Sequence, residues 1–538
     1  MAHMQRSIGL LSLTFVAISG MLGSGWLFAP LLAAQAAGPS ALIAWIIGGV
    51  AMLLLAATFA EIATILPIAG GIGRVPHFSH GSVVSMVMGW TAWVGYNTTA
   101  AIEVEAVLSY SKGAAPWLYS GSQLSAGGLI VACFLLMMFT VLNAFGVKFF
   151  ARINTALTWV KIVIPVVLAT VVMTSEFHFG NFSDYGGFAP EGIKGILSAI
   201  STGGVIFALI GFRHVIDLAG EARNPKVNVP LALVLSLIVC LLIYGGLQLA
   251  FLGALKPSQL ENGWQALHFP GELGPMAALA TAVGALWIVS TLDTGARISS
   301  FASGLVSVGS NARLGLAMAQ NGLFPKFMET LSNRGVPLFA LLANFVVAAV
   351  FFVALPFKQV ISLNTSSIVL SFVVGPIAVL AFRRLLPDKP RAFVLPAAPF
   401  TGCLAFIVAS LIIYWSGWET MFHLSVCLAL GLALLLYRGT QGGFDSLDWR
   451  EALWLIPYLG GLIGLSYLGS FGGGANIISV GPDILAVALL ATGVYVLAYK
   501  SSLQKDKFEL YMSEETEEEI DEYGAVGDWP VDKPDFKP

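Results

Sequence analysis

Between Arg6 and Glu61 the chain contains no Asp, Glu, Lys or Arg. A helix needs about 20 apolar residues to cross a bilayer, so this stretch has room for two crossings. The same pattern continues to the end of the chain. Of 538 residues, 57% are hydrophobic and 11% charged, against roughly 25% charged in a soluble domain. Backbone polar groups inside a bilayer must be satisfied within the segment, which leaves helices as the element these long apolar runs can form. The chain therefore reads as an all-α membrane protein. Apolar runs fall at about 9–36, 40–66, 84–110, 125–147, 154–174, 195–219, 229–254, 275–305, 337–356, 360–382, 399–416, 420–437, 452–470 and 482–499, or about fourteen helices.

Basic residues gather in alternate loops. Arg6, Arg74, Lys148, Arg152, Arg223, Lys226, Arg313, Arg383, Arg384, Lys389, Arg438 and Lys505 fall on one side, with few on the other (Lys112, Lys256, Lys358). The positive-inside rule then places both termini in the cytoplasm, as an even number of spans requires. The first run is too long for a cleaved signal peptide. Past Gln504 the composition turns polar, and SEETEEEIDEYG (Ser513 to Gly524) is an acidic tail expected to stay solvated. Cys133, Cys240, Cys403 and Cys427 all lie in apolar runs without metal-ligand spacing and read as small core residues.

Two spans carry glycine-rich interruptions at matching places. The first reads AISGMLGSGWLFAP, with Gly20, Gly23 and Gly25 near its middle. The sixth reads STGGVIFALIGFRHVIDLAG, with Gly203, Gly204 and Gly211. One opens the first five spans and the other opens the next five, which is the sequence pointer to an inverted-repeat transporter. At such a break the freed N–H groups of a half-helix suit an anion. The alternative is that these glycines serve close helix packing.

Four segments make this pattern specific. GSGWLFAP (Gly23 to Pro30) resembles the first-helix motif of the amino acid–polyamine–organocation (APC) superfamily. GFRHVIDLAGEARNPKVNVP (Gly211 to Pro230) resembles its sixth-helix signature. NARLGLAMAQNGLFPK (Asn311 to Lys326) resembles the loop after helix eight, and GPIAVLAFRRLLPDKPRAFVLP (Gly375 to Pro396) the end of helix ten. The resemblance spans roughly residues 5 to 440 and is greatest to proton-coupled acidic amino-acid symporters of the aspartate type. It implies a LeuT-like 5+5 inverted repeat with additional C-terminal helices. The expected parts are a cytoplasmic segment 1–8, a transport core 9–382, further membrane helices 399–499 and a cytoplasmic tail 500–538. The last two spans exceed the family's usual twelve.

The charges inside the spans are few enough to weigh singly. A lysine at the depth of Lys161, in NTALTWVKIVIPVVLATVVM, is costly and reads as functional. By position it matches the fifth-helix lysine of the family's proton-coupled members, and a buried ammonium can give up and regain a proton near neutral pH. Arg213 departs from the family's commoner acidic or small residue. Arginine stays charged and offers a two-pronged match to a carboxylate, so in a cavity it would bind an acidic side chain. The alternative is an i,i+4 pair with Asp217, and Asp293 and Arg297 share that spacing. Glu103 and Glu105 point to different faces of helix three, and either could be protonatable, with Glu105 the candidate relay member. His214 reads as a titratable neighbour of Arg213 or as packing, and Glu61 as a loop anchor. The resemblance makes Phe207 an aromatic gate residue and places Glu221 at the intracellular gate. Trp93 and Tyr96 are expected to line the cavity.

No phosphate-binding loop, metal-ligand cluster, cofactor motif or nucleophile–base pair is present, and no soluble stretch could hold an ATP-binding domain. Nothing supports nucleic-acid binding. The reading is a non-enzymatic secondary transporter of a cell membrane, of the bacterial inner-membrane kind, that imports an amino acid with a proton. Its substrate carboxylate would rest on the first break (Gly20, Met21, Gly23, Ser24, Gly25). Its amine would meet carbonyls near Phe207, Ala208 and Ile210, and its acidic side chain Arg213. Rivals are an exchanger for cationic amino acids or polyamines, a channel, and a membrane sensor. Its partners are thus an amino acid, a proton and the lipid bilayer.

Overall fold

The computed structural model describes residues 8–67, 70–121, 123–145, 147–269, 275–282, 284–444 and 447–513. The acidic run Ser513 to Gly524 lies outside them except for its first residue, and so does the N-terminal segment except for Ile8. The chain opens with α1 (Leu10–Met21), α2 (Gly25–Ala37), α3 (Ala41–Ile65), α4 (Gly71–Ser109), α5 (Ala126–Ala144) and α6 (Val147–Ser175). Then follow α7 (Gly192–Ser201), α8 (Val205–Leu209), α9 (Arg213–Asp217), α10 (Pro225–Ala254), α11 (Pro257–Leu260), α12 (Pro275–Ala282) and α13 (Leu286–Gln320). The remainder is α14 (Leu338–Ala354), α15 (Phe357–Phe372), α16 (Val374–Leu385), α17 (Ala398–Trp415), α18 (Gly417–Gly442), α19 (Leu455–Leu468) and α20 (Pro482–Lys500). A two-residue hairpin, β1 (Tyr119–Ser120) with β2 (Gln123–Leu124), follows α4.

Among the described residues, ten helical stretches are long and apolar enough to cross a membrane, and Leu10–Met21 and Leu338–Phe351 are shorter apolar helices. Helices α4 and α13 are not among the ten. They carry many of the buried polar side chains and pack along each other, and α15 also packs along α4. Small polar side chains such as Thr98, Thr99, Ser299, Ser303 and Ser307, all buried, permit that close approach. Helix α10 lies along α3, and α1 is held between α10, α6 and α13.

Several boundaries depart from the hydropathy pattern. The first run is two helices, α1 and α2, with residues 22–24 non-helical between them. The sixth is interrupted after Ser201, where Gly204 takes φ +85°, a region that glycine enters without steric cost. It tightens again to a 3-10 turn at Ile210–Phe212 before α9. The segment from Asn311, expected as a loop, continues α13 as helix to Gln320. Small residues allow that continuation (Gly315, Ala317, Ala319), and Gly322 at φ +68° supplies the stop.

Among the described residues, several ion pairs gather on one face of the bundle. Glu61, fully buried at the end of α3, accepts two bonds from Arg383 at 2.8 Å each and the Leu395 N–H at 2.7 Å. It anchors the loop after α16, as expected. The same face holds a strap formed by residues 501–513. Leu503 N–H donates to the Ser79 carbonyl at 3.0 Å, and Arg384 donates to the Ser502 and Leu503 carbonyls at 3.0 and 2.8 Å. Asp448 is the knot. Gly81 at φ +83° breaks α4, and the next N–H, of Ser82, is satisfied by Asp448 Oδ2 at 2.7 Å. Lys507 Nζ and the Tyr511 hydroxyl reach the same carboxylate at 2.8 and 2.7 Å.

Burial alone would raise the Asp448 carboxyl, but the donors Lys507, Ser82 and Tyr511 outweigh it and hold it below its ordinary value. A carboxyl depressed in the folded state stabilises above its unfolded pKa of about 4 and loses that contribution as pH falls below it. Asp448→Asn should therefore lower unfolding stability by about 2 kcal/mol at pH 7, with the deficit shrinking below about pH 4. Thermal unfolding of the purified pair across pH checks this. A deficit that stays constant down to pH 3 would remove the carboxylate from the explanation.

Candidate functional site

The α1–α2 break frees the last carbonyls of one half-helix and the first N–H groups of the other, and each must find a partner. Four distant helices supply them. Lys161 Nζ from α6 donates to the Ser19 carbonyl at 2.5 Å and to its hydroxyl at 3.0 Å. The hydroxyl of Tyr244, on α10, donates to the Met21 carbonyl at 2.6 Å. Ser299 Oγ, on α13, donates to the Leu22 carbonyl at 2.6 Å, and Ser303 Oγ to that of Gly20 at 3.4 Å. On the other side of the break, both oxygens of Glu103 accept the Ser24 N–H, at 3.1 and 2.8 Å. The buried Lys161 and Glu103 thus bracket the break and lie within electrostatic reach of each other.

The two broken helices cross at their glycines. A Cβ at Gly211 would overlap the Gly20 backbone and lie 2.5 Å from the Met21 nitrogen, while one at Gly20 would strike the His214 ring. The glycines therefore serve both of the roles considered from the sequence: they interrupt the helices and let two backbones touch.

Beside this crossing lies a small hollow with room for about one water molecule. Gly20, Met21 and Gly25 line it from the first break, and Thr99 and Glu103 from α4. Phe207, Ile210, Gly211, Arg213 and His214 line it from the sixth-run segments. Arg213 is 1% exposed. Its guanidinium lies 3.7 Å over the Tyr96 ring, and Nη2 donates to Thr99 Oγ1 at 3.0 Å. Its Nε and Nη1 have no partner. The i,i+4 pair with Asp217 does not form. Asp217 Oδ2 instead accepts the Tyr96 hydroxyl, and Oδ1 has no partner. The buried guanidinium thus keeps Nε and Nη1 without a protein partner where it lines the hollow.

The other expected positions divide. Ala208 packs on Gly25 beside the hollow. Ser24 offers its N–H to Glu103, and Gly23 packs against Glu103 and Ser303. Tyr96 forms the floor beneath Arg213 rather than a wall, and Trp93 is turned away, donating to Asn344 Oδ1 at 2.8 Å. Glu105 is part-exposed and away from the hollow; its backbone carbonyl meets Tyr119. Two residues advance a helix by about 200°, so Glu103 and Glu105 cannot both face inward, and it is Glu103 that does. Glu221 accepts from Arg313 Nε at 2.6 Å, and its carbonyl holds the Ile8 N–H at 3.1 Å. Asp293 and Arg297 do pair. His214 lines the hollow and contacts Ser310 Oγ at 2.9 Å. Thr99, Tyr244, Ser299 and Ser303 went unnoticed in the sequence. The density of small polar residues on α4 and α13 is the signal for Thr99, Ser299 and Ser303; Tyr244, an aromatic in the apolar run of α10, carries none.

A family model described as "Amino acid permease" matches residues 8–496. The glutamate/serine transporter AimA of Bacillus subtilis is 33% identical over 523 residues, 94% of this chain and 96% of that protein. The aspartate-proton symporter of the same organism is 34% identical over 515 residues, 94% and 98% of the two chains. Its branched-chain amino acid permease BcaP is 25% identical over 451 residues, 80% and 92%.

Proposed function

The chain belongs to the amino acid permease family, and from that premise we propose that it imports an acidic amino acid, aspartate or glutamate, together with a proton by alternating access. As a family member it is a multi-pass transporter of the cell membrane and not an enzyme. The observation that carries the acidic preference is Arg213: buried, at the hollow, and with Nε and Nη1 unspent. The names of two relatives above 30% identity, a glutamate/serine transporter and an aspartate-proton symporter, agree with it. Glu103 also lines the hollow, but its charge faces that of Lys161, which leaves it less to offer a cationic substrate.

We read the helices as fourteen crossings. The five from α1–α2 to α6 form one group, the five from α7–α9 to α15–α16 an inverted second, and α17 to α20 are additional. Both ends lie on the cytoplasmic side in this reading. It is supported by the shared face of Ile8, Glu221, Arg313, Arg383 and the 501–513 strap.

In this mechanism the substrate's side-chain carboxylate pairs with Arg213. Its α-carboxylate takes the Ser24–Gly25 end of α2 that Glu103 now caps, and its amine meets the carbonyls near Phe207, Ala208 and Ile210. The present hollow is too small for an amino acid, so Phe207, which lines it, must yield for entry. Lys161 grips α1 as an ammonium; losing its proton removes the charge from that grip and frees α1 to open the inner path, with Glu221 and Arg313 as its latch.

Uptake into proteoliposomes under an inward proton gradient tests the substrate assignment. Leaving a buried charge without its partner costs 2–5 kcal/mol, so Arg213→Ala should cut kcat/KM for aspartate and glutamate by about 30-fold or more, and for serine far less. Equal losses for acidic and neutral substrates would show that Arg213 is no side-chain ligand.

A further inference from the structure

We infer that Thr99 and Asn364 determine the substrate preference of this site by aiming the Arg213 guanidinium; the inference rests on Arg213 being the side-chain ligand. Two constraints orient a guanidinium: the tilt of its plane and its rotation within that plane. The Tyr96 ring, 3.7 Å below, sets the plane. Thr99, three residues on and therefore on the same face of α4, sets the rotation through Nη2 at 3.0 Å.

A threonine hydroxyl holds one hydrogen and two lone pairs, and here all three are committed. Thr99 Oγ1 donates to the Gly95 carbonyl at 2.8 Å. It accepts Arg213 Nη2 on one lone pair and Asn364 Nδ2, at 2.7 Å, on the other. With its hydrogen turned toward Gly95, the hydroxyl presents only acceptors to the arginine, as an arginine requires. Asn364, on α15 and fully buried, is itself tied to α4 by contacts to the Gly95 carbonyl at 2.5 Å and Thr98 Oγ1 at 3.0 Å. Its Oδ1 has no partner, so its burial is repaid only through these donor contacts. The chain Asn364–Thr99–Arg213 takes one of the two Nη2 hydrogens; the other Nη2 hydrogen, with whichever of the unpartnered Nε and Nη1 lies on its side, is the two-pronged edge left for a carboxylate. Without that chain the guanidinium could swing over Tyr96 and lose its two-pronged match to a carboxylate. Asn364 is not among the residues lining the hollow and acts through Thr99. Asn364 is a positioning residue, and Thr99, which also lines the hollow, positions Arg213; the effect of each should be larger on acidic substrates than on neutral ones.

The test is steady-state uptake of aspartate and serine in proteoliposomes by wild type, Thr99→Val, Thr99→Ser, Asn364→Ala, Arg213→Ala and the Thr99→Val/Arg213→Ala double variant. Losing a hydrogen bond to a charged group is worth about 10-fold or more. Thr99→Val should therefore raise the ratio of the aspartate KM to the serine KM about 10-fold, whatever it does to transport of both. Thr99→Ser should behave as wild type. Asn364→Ala should shift aspartate in the same direction by a smaller factor. Once Arg213 is alanine, Thr99→Val should cost nothing further, because the coupling runs through the arginine. If Arg213→Ala removes the aspartate preference but Thr99→Val and Asn364→Ala preserve it, the positioning inference falls and the acidic reading stands. If Arg213→Ala itself leaves the preference intact, both fall. Should Thr99→Val fail to fold, aspartate against serine thermal shifts on purified Asn364→Ala decide the same question: an unchanged ratio overturns the inference.

Discussion

With Lys161 replaced by alanine, aspartate should no longer accumulate against its gradient when a pH difference is imposed, while exchange of internal for external aspartate continues. For one proton per substrate, a pH difference of two units can sustain about 100-fold accumulation, since each unit is worth about 1.4 kcal/mol. The variant should fall to near unity. The geometry gives the reason. Lys161 is 1% exposed and spends its ammonium on the Ser19 carbonyl and hydroxyl at the broken end of α1. Glu103 holds the N–H on the other side of the same break. In the proposed mechanism a group that grips α1 when charged and loosens when neutral links the proton to the movement of α1, and an alanine there cannot change charge. Measuring labelled aspartate in proteoliposomes, with and without the pH gradient and in an exchange format, separates the two activities. Undiminished accumulation by Lys161→Ala would refute the assignment of Lys161 as the proton carrier.

Gly211→Ala should be worse tolerated than any side-chain change at the hollow. The added methyl group would overlap the Gly20 backbone and the Met21 nitrogen. Backbone cannot rotate away as a side chain can. Overpacking of this kind costs about 3 kcal/mol or more, and here it would part the two broken helices. Purified Gly211→Ala should unfold at markedly lower temperature and transport at under about a tenth of the wild-type rate. Gly20→Ala is the informative contrast, because its methyl meets the imidazole of His214. Its defect should be relieved by adding His214→Ala, whereas Gly211→Ala should not be relieved in that way. Normal stability and transport by Gly211→Ala would mean that the two breaks do not cross at contact distance.

Much of this site can be read one residue at a time. Lys161 and Arg213 stand out because a charge inside an apolar run carries a cost visible without knowing its neighbours, and the glycines of the first and sixth runs because their spacing repeats. The choice between readings could not be made that way. Arg213 and Asp217 have the spacing of an ion pair, yet the Tyr96 hydroxyl takes Asp217 Oδ2 and the ring of the same tyrosine carries the guanidinium. Tyr96 lies on another helix 121 residues from Asp217, a distance over which spacing rules say nothing. The sequence makes Glu105 the candidate relay, yet Glu103 is the one that lines the hollow. Which of them faces inward depends on how α4 is rotated against α13 and α15, and that rotation is a property of three packed helices.

Hydropathy, charge placement and glycine spacing are properties of the chain alone. They were enough to establish a polytopic helical membrane protein, two interrupted helices and a handful of costly interior charges. The partners of the α1–α2 break were decided only by folding. Tyr244 reaches Met21 across 223 residues and Ser299 reaches Leu22 across 277, as Asn364 reaches Thr99 across 265. Buried polar groups take whatever partner the packing brings near, and in a bilayer, where no water competes, that choice is made by the arrangement of helices.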